Sequence, residues 1–239
     1  MIAPMKHQTL SRHHVAYMFN RIAKRYDTIN RILSFGLDLS WRKKINQFLP
    51  PLSHLTLIDI ATGTADQILA LAKNPKIDRF IGFDISEKML TVGLEKIKKS
   101  DLKKTISLQL GSALDIPLDE NFCDATTFSF GIRNVTNPLL AVKELYRVLK
   151  PNGRAIVLEF SLPKNRFVQR CYLLYLRHLL PPLGLFLSKD REAYSYLNHS
   201  IEDFCKTCQI DQLMQEAGFR NIQVKPLTFG VVSLFIGEK

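Results

Sequence analysis

Leu55-Thr56-Leu57-Ile58-Asp59-Ile60-Ala61-Thr62-Gly63-Thr64-Ala65-Asp66 is an apolar, β-rich run that breaks into small residues and then opens a helical stretch. Small residues at such a strand-to-helix turn let backbone approach a ligand closely, and the helix N-terminus presents amide N–H groups to an anion. Alone, a degenerate glycine loop is as often a plain structural turn. Its weight comes from the elements downstream of it in the chain.

Short β-rich runs recur at 79–84, 105–110, 124–130 and 154–160, with amphipathic helical stretches near 65–73, 86–99 and 138–149. This alternation is the signature of βαβ units and a parallel sheet. The last helix is entered through Asn137-Pro138 and left through Lys150-Pro151-Asn152-Gly153, which are start and stop signals. Two further strands, about 221–226 and 231–237, flank Leu227-Thr228-Phe229-Gly230 and read as a terminal hairpin. Five parallel strands closed by an antiparallel pair depart from the six-stranded dinucleotide fold. They match the α/β, Rossmann-like, seven-stranded and mostly parallel sheet of class I S-adenosylmethionine-dependent methyltransferases. The chain is read as one domain over 1–239, with a helical cover at 1–50 and a lid insertion at 161–200.

Two more elements accompany the loop. Asp84 ends the second strand, where such folds put the acid that accepts the two donors of a ribose diol; the structural alternative is a cap for the helix after Ser86. Gly111-Ser112-Ala113 follows the third strand, where a methyltransferase holds adenine, and Ser129-Phe130-Gly131 ends the fourth, where the transferred methyl is faced.

The chain has 239 residues and a net charge of +11. Nine Lys or Arg against Asp27 and Asp38 fall within Met1–Lys44, a local net of +7 that is either a solvated helix face or a basic surface for an anionic partner. No stretch approaches the roughly 20 apolar residues of a spanning helix, and the start is not signal-like, so a cytoplasmic location is expected. The four cysteines show no disulfide framework. Cys205-Lys206-Thr207-Cys208 has redox or zinc spacing but no second pair, so coincidence on a polar surface helix is expected and no metal.

Arg25-Tyr26-Asp27-Thr28-Ile29-Asn30-Arg31-Ile32-Leu33-Ser34-Phe35-Gly36 with Trp41-Arg42 resembles the first signature of the quinone-biosynthesis C-methyltransferases of the UbiE/MenG family. The second signature is matched from Arg147 to Gly153 and on to Leu158-Glu159-Phe160-Ser161, and a third stretch by Ser129 to Val135. The resemblance continues through Pro181, Gly184, Ala193–Leu197 and Ala217-Gly218-Phe219, nearly the whole chain. It departs at Thr62, Ala65 and Asn152, where the family commonly has glycine.

The resemblance implies C-methylation of a polyprenylated quinol, demethylmenaquinol or a methoxy-polyprenyl-benzoquinol, with slight preference for the naphthoquinol. Cofactor contacts then fall on Gly63, Thr64, Asp84, Ser112, Ala113 and Ser129. Ionising a phenol-like hydroxyl of pKa about 10 at pH 7 costs roughly 4 kcal/mol, so a base or oxyanion stabiliser is needed. Arg133 is the first candidate, to stabilise a phenolate or orient a proton-accepting water, with an ion pair to Asp27 or Glu159 as its structural alternative. Tyr26 is the second, against simple helix packing, and Asn134 is expected to orient a quinol oxygen. His13 and His14 have suitable chemistry but precede the signature, where a solvated terminus is expected. The apolar lid stretch Phe167–Ser188 suits either a prenyl chain or packing on the sheet; with the basic start it suggests peripheral docking on an anionic membrane face. A homodimer stays open. The competing readings are an RNA methyltransferase, a non-catalytic quinone carrier and a nicotinamide oxidoreductase. The first lacks a stacking platform, intact Thr64 and Asp84 argue against the second, and the third lacks its glycine fingerprint; no nucleic-acid partner is expected.

Overall fold

The computed structural model of the chain describes residues 12–100, 102, 104–180, 182 and 191–239, with 12, 13, 191–197 and 199 described by backbone alone. Its centre is a seven-stranded sheet: β1 Leu55–Ile60, β2 Ile77–Asp84, β3 Thr105–Leu110, β4 Cys123–Ser129, β5 Leu149–Phe160, β6 Arg220–Leu227 and β7 Val232–Glu238. The spatial order is β3-β2-β1-β4-β5-β7-β6. The first five strands are parallel, and β7 runs antiparallel to both β5 and β6. All seven expected strands are present.

β1 lies between β2 and β4, and both its faces are covered: Ile58 and Ile60 are buried in one apolar cluster, Leu55 and Leu57 in another. That explains its near-continuous apolar run. β5 starts five residues before the expected 154, because Leu149 already pairs with Cys123 and the chain bulges out before Arg154 pairs with Ala125. Asn152, on that bulge, has φ 65°, a left-handed conformation that asparagine tolerates better than most residues, so it fills a glycine-like position.

Helices α3 Asp66–Leu71, α4 Glu87–Lys99 and α5 Pro138–Val148 connect the strands. Ser86 caps α4 by accepting from Met89 N–H, and Asn137 caps α5 by accepting from Leu140 N–H, with Pro138 in the first turn. The helix cap is thus Ser86, which leaves the Asp84 carboxylate for other work.

Ahead of the sheet lie α1 Arg12–Leu33 and α2 Leu37–Lys44, followed by a 3-10 turn, as expected for 12–49. The 161–200 segment holds α6 Arg166–Leu174, which runs on as a π-helical turn Tyr175–Leu179, and the start of α7 Arg191–Thr207; α8 Ile210–Glu216 follows. Pro181 and Gly184 lie outside the described residues. Met18, Ile22, Ile29 and Leu33 of α1 form an apolar cluster with Leu176, Leu180 and Ile201. The lid helices therefore pack on α1 rather than simply on the sheet. Among the described residues, no helix is long and apolar enough to cross a membrane.

Candidate active site

The carboxyl ends of β1, β2 and β4 converge below α1. The loop after β1 passes through left-handed conformations at Ala61, Gly63 and Ala65 (φ 51°, 54° and 63°), of which only Gly63 is free of a Cβ penalty. Its N–H donates to Asp84 Oδ2 at 2.8 Å, and Ser86 N–H donates to Asp84 Oδ1 at 2.8 Å. Burial pushes this carboxyl up, while the backbone N–H groups pull it back. Each carboxylate oxygen accepts a bond from the backbone and has further lone-pair capacity toward the cavity it lines. Gly131 permits the close approach of β4: a Cβ there would sit 2.5 Å from Phe128 and 2.7 Å from Ala61.

Gly63, Thr64, Asp84, Ser112, Ala113 and Ser129 all line this one cavity, together with Tyr26 and Asn134. Three of their hydroxyls have partners in the protein. Thr64 donates to Asp27 Oδ1 at 2.5 Å, Ser129 donates to Gln67 Oε1 at 2.9 Å, and Ser112 accepts from Leu114 N–H at 3.2 Å. Lys96 of α4 bridges Asp27 (2.6 Å) and Asp66, and Arg31 of α1 bridges Asp66 (2.7 Å) and Asp38. Burial alone would raise the Asp66 carboxyl, but Lys96, Arg42 and Arg31 hold it below the usual range. This network pins α1 to the loop. Asp27 is engaged here and so is not the partner of Arg133.

Beneath the loop, Asp59 is fully buried and burial pushes its carboxyl up to about 6, although Thr127 donates to it at 2.6 Å. The folded state therefore holds a proton that the unfolded chain releases near pH 4, and stability falls as pH rises from about 4 to about 6. Relative to Asp59→Asn, wild type is expected to lose about 2 kcal/mol between pH 4 and pH 7, read by urea unfolding at both pH values. Parallel curves for the two proteins would contradict this.

Next to the first cavity lies a second of about 350 Å³, and its lining is mostly apolar. It is walled by α1, α2, the ends of β4 and β5, and the face of α6 and its π-helical extension that carries Val168, Cys171, Tyr172, Tyr175 and Leu176. Phe19, Tyr26, Arg42, Phe130 and Asn134 line both cavities and form the shared wall. Arg133 lines only the apolar one. Its guanidinium is almost fully buried, donates to Glu159 Oε1 and to the Phe130 carbonyl at 2.7 Å each, and lies 5.3 Å from the Phe160 ring centre. The expected ion-pair alternative with Glu159 is therefore realised, and it holds the guanidinium at the cavity wall. Burial raises the Glu159 carboxyl while Arg133 opposes this. Tyr26 packs edge-on against Phe19, and burial raises its hydroxyl.

Sequence reasoning missed Arg42 and Tyr172. Arg42 is buried with its guanidinium 5.2 Å from the Phe130 ring centre; its place beside Trp41 in the first signature was the available signal. Tyr172 sits in the lid with no motif around it, and no local signal marks it. Cys205 and Cys208 are half-buried rather than on a polar surface: Cys205 Sγ donates to the Phe160 carbonyl at 3.4 Å. Burial pushes the two thiols up to about 12 and about 11, which makes both poor thiolates. Among the described residues no group of three or more His, Cys, Asp or Glu is placed to hold a metal. The His13 side chain lies outside those described, and His14 is half-buried on α1.

The sheet order, the glycine loop after β1 and the acid closing β2 define a class I S-adenosylmethionine-dependent methyltransferase. A solved S-adenosylmethionine-dependent methyltransferase of Thermotoga maritima superposes with a TM-score of 0.63 over 93% of this chain and 99% of its own, at 21% identity, which speaks for the fold. Residues 6–239 match the ubiE/COQ5 methyltransferase family, and the chain belongs to it. It is 36% identical to the demethylmenaquinone methyltransferase of Bacteroides fragilis, over all of this chain and 97% of that one. It is 39% identical to the ubiquinone/menaquinone biosynthesis C-methyltransferase UbiE of Geotalea daltonii, over 93% and 94%.

Proposed function

We propose that this methyltransferase transfers the methyl group of S-adenosylmethionine to a ring carbon of a polyprenylated quinol, with demethylmenaquinol as the preferred acceptor. The observation that carries this is the pair of cavities with one shared wall: a polar one built on the loop, Asp84 and Ser112, and an apolar one beyond Tyr26, Phe130 and Asn134. The names of the relatives point the same way.

In this reading Asp84 accepts the ribose diol, Ser112 and Ala113 flank the adenine, and Gly63 with Thr64 borders the methionine end. The residues fit such a group. Asp84 has acceptor capacity at the cavity, and the space beside Gly63 is open for 4 Å around the position a Cβ would take. When bound, S-adenosylmethionine supplies an activated methyl electrophile. The chain's own task is to make a ring carbon nucleophilic and align it. Arg133 provides fixed positive charge toward the developing phenolate, Glu159 holds that guanidinium in place, and Asn134 orients a ring oxygen. Tyr26 and Phe130 exclude water between the cavities.

The apolar cavity is at the small end of the roughly 300–1,000 Å³ usual for ligand pockets, so a ring and the first part of a tail fill it. The lid and α1 form one unit with the sheet, closing over the ring. Phe35 and Leu37 line the cavity yet are 79% and 39% exposed, which marks its mouth. Phe229, 84% exposed, adjoins the lining Thr228, and Phe167, 75% exposed, adjoins the lining Val168. With exposed Lys164, Arg166 and Arg170 beside Phe167, this rim suits peripheral docking on an anionic bilayer from which the tail is drawn. Flotation with anionic liposomes at low salt should carry wild type up and leave Phe35→Ser/Phe229→Ser in the soluble fraction; equal flotation of both would refute the rim.

The function itself is tested by label transfer from methyl-labelled S-adenosylmethionine to reduced demethylmenaquinol and, separately, to the methoxy-polyprenyl-benzoquinol. Transfer to either establishes the reaction and names the ring. Cofactor binding without transfer to either would overturn the proposal.

A further inference from the structure

Among the polar groups that line the apolar cavity, the Tyr172 hydroxyl is one that the proposed reaction does not use. Three tyrosines line it. Tyr175 donates its hydroxyl to the Leu33 carbonyl at 2.6 Å, and Asn30 beside Tyr26 lowers the Tyr26 hydroxyl against its burial. The Tyr172 hydroxyl oxygen is buried and has no hydrogen-bond partner among the described residues. Buried polar groups are nearly always paired, so an orphaned hydroxyl at a cavity wall points to a partner that arrives with the ligand.

Its surroundings narrow that partner. Tyr172 stands on the α6 face that carries Val168 and Cys171 into the cavity, about one turn before Tyr175 and Leu176 of the π-helical segment, which line it too. Such segments cluster at functional sites. α6 buries none of its nine residues fully, which agrees with a face shaped for an occupant. Tyr172 lines the same cavity as Arg133, and Cys205, Arg133, Tyr175 and Glu159 all bear electrostatically on its hydroxyl. Burial raises the hydroxyl strongly, and it stays a protonated donor at any working pH.

We infer that Tyr172 is a positioning residue that donates a hydrogen bond to the second ring oxygen of the substrate, the one remote from the carbon that receives the methyl. This rests on the quinol reading of the apolar cavity. A para-dihydroxy ring carries two oxygens. Asn134 at the shared wall and Arg133 next to it in the chain, on the apolar side, serve the oxygen beside the reacting carbon, and Tyr172 serves the other. The ring is then held at both ends, which fixes which carbon faces the cofactor. A ring without the second oxygen would leave Tyr172 unpaired, so the same contact selects for dihydroxy substrates.

The test compares two acceptors: reduced demethylmenaquinol, and the prenylated naphthol that keeps the hydroxyl beside the acceptor carbon but lacks the remote one. Taking the ratio of kcat/KM values cancels the intrinsic difference in ring reactivity when wild type is set against Tyr172→Phe. The variant should lose about 10-fold on the dihydroxy ring and be unchanged on the naphthol, with thermal stability equal to wild type or higher. Equal losses on both acceptors would make Tyr172 merely structural and overturn the inference. An unchanged ratio with unchanged rates would overturn it as well. If wild type transfers to neither ring, the quinol reading fails and takes this inference with it; failure of Tyr172 alone leaves wild-type transfer intact.

Discussion

Arg133→Ala is expected to lower kcat about 100- to 1,000-fold and to destabilise the fold by about 3–5 kcal/mol. The two effects have different origins. Glu159 is fully buried and Arg133 is its ion-pair partner at 2.7 Å, so truncation strands a carboxylate in an apolar interior. The stranded carboxyl can take up a proton, because burial already raises it. A folded-state carboxyl shifted upward favours folding at low pH and loses that advantage as pH rises. The variant's deficit should therefore be larger at pH 8 than at pH 5, read by denaturant unfolding. Arg133→Leu combined with Glu159→Gln removes both charges and should recover most of the stability, since replacing both partners of a buried pair is far milder than removing one. Transfer should stay low in that double variant. Recovery of transfer together with stability would show that Arg133 serves only as the partner of Glu159.

For Asp84→Ala, the expected result is loss of cofactor affinity by about 100- to 1,000-fold, measured by calorimetry with S-adenosylhomocysteine. Two charge-assisted hydrogen bonds to a diol at roughly 1.5–3 kcal/mol each, discounted for water entering the site, give that range. The variant also strips the acceptor from Gly63 N–H and Ser86 N–H, which loosens the loop and the start of α4 together. Asp84→Asn keeps one acceptor oxygen and separates these contributions: it should hold part of the loop geometry while losing most of the affinity. Binding within threefold of wild type in both variants would place the diol elsewhere.

The division of labour between the two kinds of information is visible in particular residues. β1, β4 and the second half of β5 were legible because strands buried on both faces are apolar nearly throughout, and Asn137-Pro138 and Ser86 act through bonds to N–H groups three residues away. Asp84 was legible because topology puts the carboxyl end of β2 beside the β1 loop in any sheet of this order. Arg133 was named as a catalytic candidate after the fourth strand, but its partner was left open between Asp27 and Glu159. The choice depended on Lys96 and Thr64, which lie 69 and 37 residues from Asp27 in sequence and yet take up its carboxylate.

Tyr172 and Arg42 show the limit most clearly. Each is a single residue on a helix whose spacing reports only that one face is apolar, and period alone does not say whether that face meets a sheet, another helix or an empty cavity. What the sequence determined by itself is the alternation of strands and helices, the closing hairpin, the loop with its acid and the family, because these rest on local bonding and on residues near one another in the chain. What only the tertiary structure decided is the pairing of Arg133 with Glu159, the tether from Asp27 to Thr64, and the two cavities with their common wall. These depend on how α1 and the lid settle over the sheet, which is set by packing between segments as far apart in the chain as Leu33 and Tyr175.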